Sequence, residues 1–217
     1  MPRVSILMSV YNGEKTLQES LNSIYRQSYT DWELIIINDC STDNSPDILS
    51  SAKAIFYNIK IITNSQNIGL TKSLNKGLLY CGGEYIARID ADDSWNKDKL
   101  RKQVAFLDSN DTYGLVATNS FVIDIKGVNR SYNELDLESD SQLKSAMIKF
   151  NPFVHSSVLF NRRIVEELGG YDESYKYAQD YNLWARMMAY CKFYKISEKL
   201  TYIRESRTSI SSLNYRH

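Results

Sequence analysis

The chain is poor in cysteine. Cys40, Cys81 and Cys191 are its only three, they are far apart, and no Cys-x-x-Cys occurs. This argues against a disulfide framework or a zinc site and fits a reducing cytosol. Long hydrophobic runs are also missing: purely apolar stretches such as Leu34 to Ile37 are far too short to span a bilayer. The opening Met1-Pro2-Arg3 passes straight into a strand-like run, without signal-peptide architecture. Neither sign of charge dominates, since 26 Lys and Arg balance 26 Asp and Glu. A net charge of zero gives no long-range pull toward DNA or RNA, so nucleic acid is not expected as the main partner. Three prolines and nine glycines leave no linker, repeat or low-complexity tract. What is present is ordinary for a globular protein. With 217 residues, 43% hydrophobic and 24% charged, the chain suits a single domain, 1–217, with a large core.

The hydrophobic pattern alternates between strand and helix periods. Strands are expected over residues 4–10, 33–37, 59–62 and 84–89. Between them, Leu17, Leu21, Ile24 and Tyr25 recur at helical spacing, as do Leu70, Leu74 and Leu78. Ser45-Pro46 opens a helix carrying Ile48, Ala52 and Ile55, and Gly82-Gly83 closes the third. This order predicts an α/β fold: a Rossmann-like, mostly parallel sheet with helices on both faces. The second half is less regular. Leu100, Val104 and Leu107 mark a helix, residues 114–125 a long strand, and residues 126–139 a polar loop or edge excursion. Residues 154–160 read as a strand, and Leu183, Trp184, Met187 and Met188 as a helical stripe with Asp180 one turn ahead. Residues 193–196 and 200–204 read as two short strands.

Ligands of such sheets bind at the carboxyl ends of the strands. Here those ends are Tyr11-Asn12-Gly13, Asn38-Asp39-Cys40-Ser41, Asn64 to Gly69 and Asp90 to Asp93. Asp90, Asp92 and Asp93 put three mutually repelling carboxylates in four positions, and a hard divalent cation, Mn²⁺ or Mg²⁺, is the usual reason a fold keeps them. Such ions share their shell with substrate phosphates, which points to a phosphorylated donor. Taken alone, the run also reads as a solvated acidic turn. Asp39 can accept from a ribose or a base N–H, or cap a helix. A dinucleotide site is disfavoured because the turn after the first strand has one glycine and a glutamate, Gly13-Glu14, and a P-loop is absent.

These pieces occur in a recognisable order: residues 4–13, then 32–43, Asn67-Ile68-Gly69-Leu70 with Leu74-Asn75-Lys76-Gly77, residues 83–93 and Gly169-Gly170-Tyr171-Asp172-Glu173. The chain resembles a family 2 glycosyltransferase of the GT-A fold over residues 4–190. The resemblance implies that residues 1–93 bind a nucleotide-sugar and residues 94–217 shape the acceptor side. It assigns Tyr11, Asn12 and Asp39 to the base and ribose of a nucleotide-diphosphate sugar, with UDP the expected nucleotide. Asn67 and Gly69 would lie beside the base, Asp90 and Asp92 would serve the metal, with Asp92 its direct ligand, and Asp93 would lie near the sugar or acceptor. Arg88 has two readings, a phosphate contact or a strand residue paired to a neighbouring carboxylate.

The resemblance also implies inverting transfer, which needs a general base for the acceptor hydroxyl. The family draws it from an acidic pair at the start of a late helix; here Asp180 takes that place and neutral Gln179 replaces its neighbour. His155, in Asn151-Pro152-Phe153-Val154-His155-Ser156, reads as a site-floor or phosphate contact, or as a hydrogen-bonded core histidine. Ser206 stands where many relatives have a metal-proximal His, leaving Arg204 or Arg207 to offset diphosphate charge. Tyr175 and Tyr177 are the candidates for acceptor contact, whereas Trp184 belongs to the apolar stripe. The expected acceptor is a glycan or lipid-linked saccharide in bacterial surface polysaccharide synthesis. The place of action would be the cytoplasm, with peripheral association at the inner membrane face by analogy. Two rivals are a sugar nucleotidyltransferase, which would want a glycine-rich, arginine-bearing loop after the first strand, and a nucleotide-sugar or glycan-binding module without turnover.

Overall fold

The computed structural model describes residues 1–124, 129–130 and 135–204. The first half follows the expected alternation closely: β1 (Val4–Val10), α1 (Leu17–Tyr25), β2 (Trp32–Asn38), α2 (Ser45–Ile55), β3 (Ile59–Thr63), α3 (Leu70–Leu78) and β4 (Tyr85–Arg88). Then come β5 (Ser94–Trp95), α4 (Lys99–Asp108), β6 (Tyr113–Ile123), β7 (Asn129–Arg130), α5 (Asp140–Ala146), β8 (Leu159–Asn161), α6 (Arg162–Glu167), α7 (Gln179–Met187) and β9 (Lys192–Arg204). The strands form one sheet in the order β3-β2-β1-β4-β8-β6-β9-β5, with β7 on β6.

Strands β3, β2, β1 and β4 are mutually parallel, and β9 runs parallel to β6. The sheet is nonetheless mixed, because β8 pairs antiparallel with both β4 and β6, and β5 antiparallel with β9. All seven residues of β1 are buried, as expected for a parallel strand covered on both faces. Alternation then sorts its side chains between two cores. Val4, Ile6, Met8 and Val10 pack with Leu17, Leu21 and Ile24 of α1, Leu49 of α2 and Leu100 of α4. On the opposite face Leu7 packs with Leu74 of α3, Leu143 of α5 and Trp184 of α7. Helix α3 lies very close to the sheet: a Cβ on Gly77 would come within 2.3 Å of Leu7 Cδ1.

The second half departs from expectation in three places. Residues 154–160 are not one strand, because His155–Ser157 form a 3₁₀ turn before β8. The cause is local: Ser157 returns both its N–H and its Oγ to Val154 O, at 2.9 and 2.7 Å. The two short strands expected near the end are a single 13-residue β9, whose pairing with β6 shifts register between Thr118 and Ser120. The short elements β5, α5 and α6 lack enough periodic residues to show in the sequence pattern; α5 announces itself only by its Ser139–Gln142 capping box.

Candidate active site

Every carboxyl end of the parallel strands opens on one side of the sheet, and the acidic turn follows β4. Its three carboxylates have different surroundings. Arg88 is fully buried, pairs with Asp90 and donates to Ile89 O. Ser156 Oγ donates to Asp90 Oδ2 at 3.2 Å and accepts the Asp90 backbone N–H at 2.9 Å. Burial opposes charge on Asp90, yet the Arg88 guanidinium and the Ser156 hydroxyl hold its carboxyl below the usual range. Asp93 is 4% exposed and accepts the Arg204 backbone N–H at 2.9 Å. Burial and the charges of Asp92 and Asp90 push it well above the ordinary carboxylate value. Asp92 is pushed up to about 6 by burial and the Asp90 charge. Among the described residues its carboxylate has no side-chain hydrogen bond or ion pair.

The loops after β1, β2 and β3 are knitted together by hydrogen bonds. Asp39, 2% exposed, accepts Asn64 Nδ2 (2.8 Å) and Ile68 N (2.9 Å) on Oδ1, and Gly69 N (2.8 Å) on Oδ2. It therefore shapes the Asn67–Gly69 loop, and among the described residues its Oδ2 accepts one hydrogen bond. Asn67 Oδ1 also accepts Gly69 N, at 3.1 Å. Gly69 has φ +87°, open to glycine and strained for other residues. Asn12, at φ +52°, accepts Thr42 N at 2.8 Å and donates its own N–H to Ser41 Oγ at 3.1 Å. Tyr11 stands beside it, 53% exposed.

On the other side of the acidic turn, Asp180 is the second residue of α7, which starts after Ala178 in the left-handed region, φ +56°. Asn151 Nδ2 donates to Asp180 Oδ2 at 2.9 Å. The segment from Asn151 to Ser156 thus holds Asp180 at one end and Asp90 at the other. His155 Nε2 and Tyr171 Oη lie 2.9 Å apart between them. Burial, then the Arg88 charge, lowers the His155 pKa to about 4 and keeps the ring neutral. Tyr175 and Tyr177 are exposed, on the loop that leads into α7.

The sequence profile described as "Glycosyl transferase family 2" matches residues 5–169, well over half of the chain. The chain belongs to glycosyl transferase family 2. EpsE of Bacillus subtilis (strain 168), named as a glycosyltransferase, is 37% identical over 94% of this chain and 73% of its own. The amylovoran biosynthesis glycosyltransferase AmsE of Erwinia amylovora is 31% identical over 85% of this chain and 69% of its own. Among solved structures, S. aureus TarS 1-349 in complex with UDP superposes with a TM-score of 0.77 at 22% identity, over 94% of this chain and 61% of that one. The mannosyltransferase PcManGT from Pyrobaculum calidifontis, in complex with GDP-Man and Mn2+, gives 0.74 at 22% identity, over 99% and 60%. At that identity the likeness establishes the GT-A fold. The glycosyltransferase therefore spans about six-tenths of those solved chains.

Two arginines of this glycosyltransferase are placed otherwise than as phosphate ligands. Arg88 is the strand residue paired to a carboxylate. Arg204 is 6% exposed, and its guanidinium donates to Asp92 O (3.1 Å), Asp124 O (3.0 Å) and Glu19 Oε2 (2.5 Å). It ties the acidic turn to α1 instead of facing a diphosphate. Asp93 is likewise directed to β9, with little surface left for a sugar. Trp184 is fully buried in the core. Ser206 and Arg207 lie outside the described residues.

The acidic turn offers a divalent cation one carboxylate. No group of three or more His, Cys, Asp or Glu able to hold a metal occurs among the described residues. Asp92, raised in pKa and without a side-chain partner among the described residues, is one carboxylate that a cation would relieve, and a cation sharing its shell with a diphosphate needs only one or two. Asp90 is committed to Arg88 and Ser156. The sequence motif contained Asn151 and Ser156 without revealing their role, since a hydroxyl inside an apolar run gives no hint of its partner. No helix among the described residues is long and apolar enough to cross a membrane.

Proposed function

We propose that this glycosyltransferase moves a sugar, with inversion, from a UDP-sugar to a hydroxyl of a glycan or lipid-linked saccharide. The observation that carries this reading is the Asn151–Ser156 segment, which holds a half-buried carboxylate, Asp180, beside the acidic turn that serves the donor. Asp180 takes the proton of the acceptor hydroxyl; Asn151 orients it by hydrogen bonding one oxygen and leaving the other to the acceptor. Asp39 offers its open Oδ2 position to a base N–H, with Tyr11, Asn12, Asn67 and Gly69 forming the surrounding wall. Asp92 holds a divalent cation, Mn²⁺ or Mg²⁺, which when bound supplies positive charge to the departing diphosphate. Residues 1–93 then form the donor half of one domain and residues 94–217 the acceptor half. Tyr175 and Tyr177 present aromatic surface to the acceptor.

The substrate class draws on relatives. AmsE is named for amylovoran biosynthesis. WfgD of Escherichia coli, 34% identical over 55% of this chain, is named a UDP-Glc:alpha-D-GlcNAc-diphosphoundecaprenol beta-1,3-glucosyltransferase. Both support a role in bacterial polysaccharide biosynthesis, whose product we place at the cell surface, with transfer at the cytoplasmic side of the membrane. A thermal-shift panel of nucleotide-sugars with and without Mn²⁺ tests the donor site, because a ligand that binds only the folded state raises Tm by mass action. UDP-sugars should shift the wild type and fail to produce a Mn²⁺-dependent shift in Asp92→Ala. Equal shifts in both proteins, or none in the wild type, would overturn the donor assignment. UDP release abolished in Asp180→Asn supports the base, and unchanged release refutes it.

A further inference from the structure

Helix α3 touches both halves of the site. On one side Lys76 Nζ donates to Asn64 Oδ1 (2.7 Å), Asn64 Nδ2 reaches Ser73 Oγ (3.0 Å), and the same amide donates to Asp39. On the other side Asn75 Oδ1 accepts the Tyr171 N–H at 2.9 Å, while its Nδ2 donates to Tyr171 O at 2.8 Å and Glu173 Oε1 at 3.0 Å. One side chain thus pairs with both polar groups of a loop residue, as a neighbouring strand would. Thr71 Oγ1, one turn earlier, donates to Tyr175 O at 3.2 Å. Gly170, at φ +78°, makes the approach possible: a Cβ there would sit 2.7 Å from Asn75 Oδ1. The tethered loop carries Tyr175 and Tyr177 and runs directly into Asp180. Most of it is exposed from Asp172 to Ala178, so its few anchors decide where it lies.

We infer that Asn75 is a positioning residue for the acceptor loop and for Asp180, and that α3 joins the base pocket to the acceptor side through it. Asn75 touches neither the donor nor the reacting atoms in this arrangement. Its loss should leave the Asp39 pocket intact, because Asn64, Ser73 and Lys76 are independent of it. The inference rests on the reading of Asp180 as the base.

Hydrogen-exchange mass spectrometry on the full chain tests it directly. Asn75→Ala should raise exchange about tenfold or more over residues 171–180, while residues 38–41 and 64–69 stay within about twofold of wild type. Thr71→Val, which removes only the Tyr175 bond, should give a smaller rise confined to residues 175–180, and keeps the test available if Asn75→Ala folds poorly. In UDP release from UDP-sugars with Mn²⁺, Asn75→Ala should lose about tenfold or more in kcat with the donor KM within about twofold, since a displaced base costs rate and not donor binding. Unchanged exchange over residues 171–180, a rise shared by the base pocket, or weaker donor binding at unchanged kcat would each overturn the inference. Failure of the underlying reading looks different: a fully active Asp180→Asn removes the base assignment, while the exchange pattern of Asn75→Ala still reports on the tether.

Discussion

Asp92→Asn should make the metal-free protein more stable while removing its response to a cation. The folded protein holds the Asp92 pKa at about 6 against an ordinary 3.8, through burial and then the Asp90 charge. A raised carboxylate pKa means that the folded state disfavours the charged form. The penalty is absent below about 3.8, grows as pH rises through the interval to about 6, and is full above it. Roughly two pKa units at about 1.4 kcal/mol each set an upper bound of about 3 kcal/mol. Partial solvent exposure and coupling to Asp90 reduce this to about 1–2 kcal/mol. Neutral asparagine escapes the penalty. For a domain of this size the gain is about 2–8 °C in Tm. The assay is thermal denaturation in EDTA at a series of pH values, repeated with UDP and Mn²⁺. The variant should lead at pH 7.5, lose its lead steadily below pH 6, and fall behind once UDP and Mn²⁺ stabilise only the wild type. A variant no more stable than wild type at pH 7.5, or an advantage that does not shrink with acid, would refute the electrostatic account of the turn.

Three further outcomes follow from the same geometry. Ser156→Ala leaves the Asp90 backbone N–H without its acceptor and removes a donor to the Asp90 carboxylate; the expected loss is about 1–3 kcal/mol in denaturant unfolding, and a change under about 0.5 kcal/mol would contradict the buttress role. Gly83→Ala places a Cβ 2.5 Å from Ser5 N and 2.7 Å from Val4 C, against backbone that cannot yield. It should cost about 3 kcal/mol or more, whereas Gly82→Ala, whose nearest atom is Glu33 Oε1 at 3.3 Å, should cost far less. His155, lowered to about 4, should show no imidazole titration by NMR between pH 5 and 8. Because its folded pKa lies below the usual 6.5, its contribution to stability is full above 6.5 and declines as pH falls toward 4.

The first half was legible because its elements are long and its cues agree. Strand β1 is an unbroken apolar run, α2 starts at Ser45-Pro46, and Leu70, Leu74 and Leu78 share one helical face. In the second half the cues conflict. Residues 154–160 have the composition of a strand, yet Ser157 prefers its own local carbonyl and turns the chain. Residues 192–204 contain the polar run Ser197-Glu198-Lys199, which reads as a break and is absorbed as a register shift in one long strand. Arg88 and Arg204 show the same limit at the site. Their charge and place in the chain suit a diphosphate, but Arg88 has Asp90 two residues away, and Arg204 meets Glu19 from 185 residues away.

By itself the sequence determined the alternating α/β order, the polar strand ends and the acidic turn, because periodicity and motif spacing are local properties; the role proposed for Asp180 came from the family resemblance. Only the tertiary structure decided which carboxylate of Asp90, Asp92 and Asp93 remains open. That depends on burial and on partners brought from afar, with Ser156 reaching Asp90 and the β9 backbone reaching Asp93. It likewise decided that Asn75, a surface-type residue on a short helix, pairs with Tyr171 nearly a hundred positions later. Such contacts depend on how the two halves of one sheet close around the site, and no pattern along the chain encodes them.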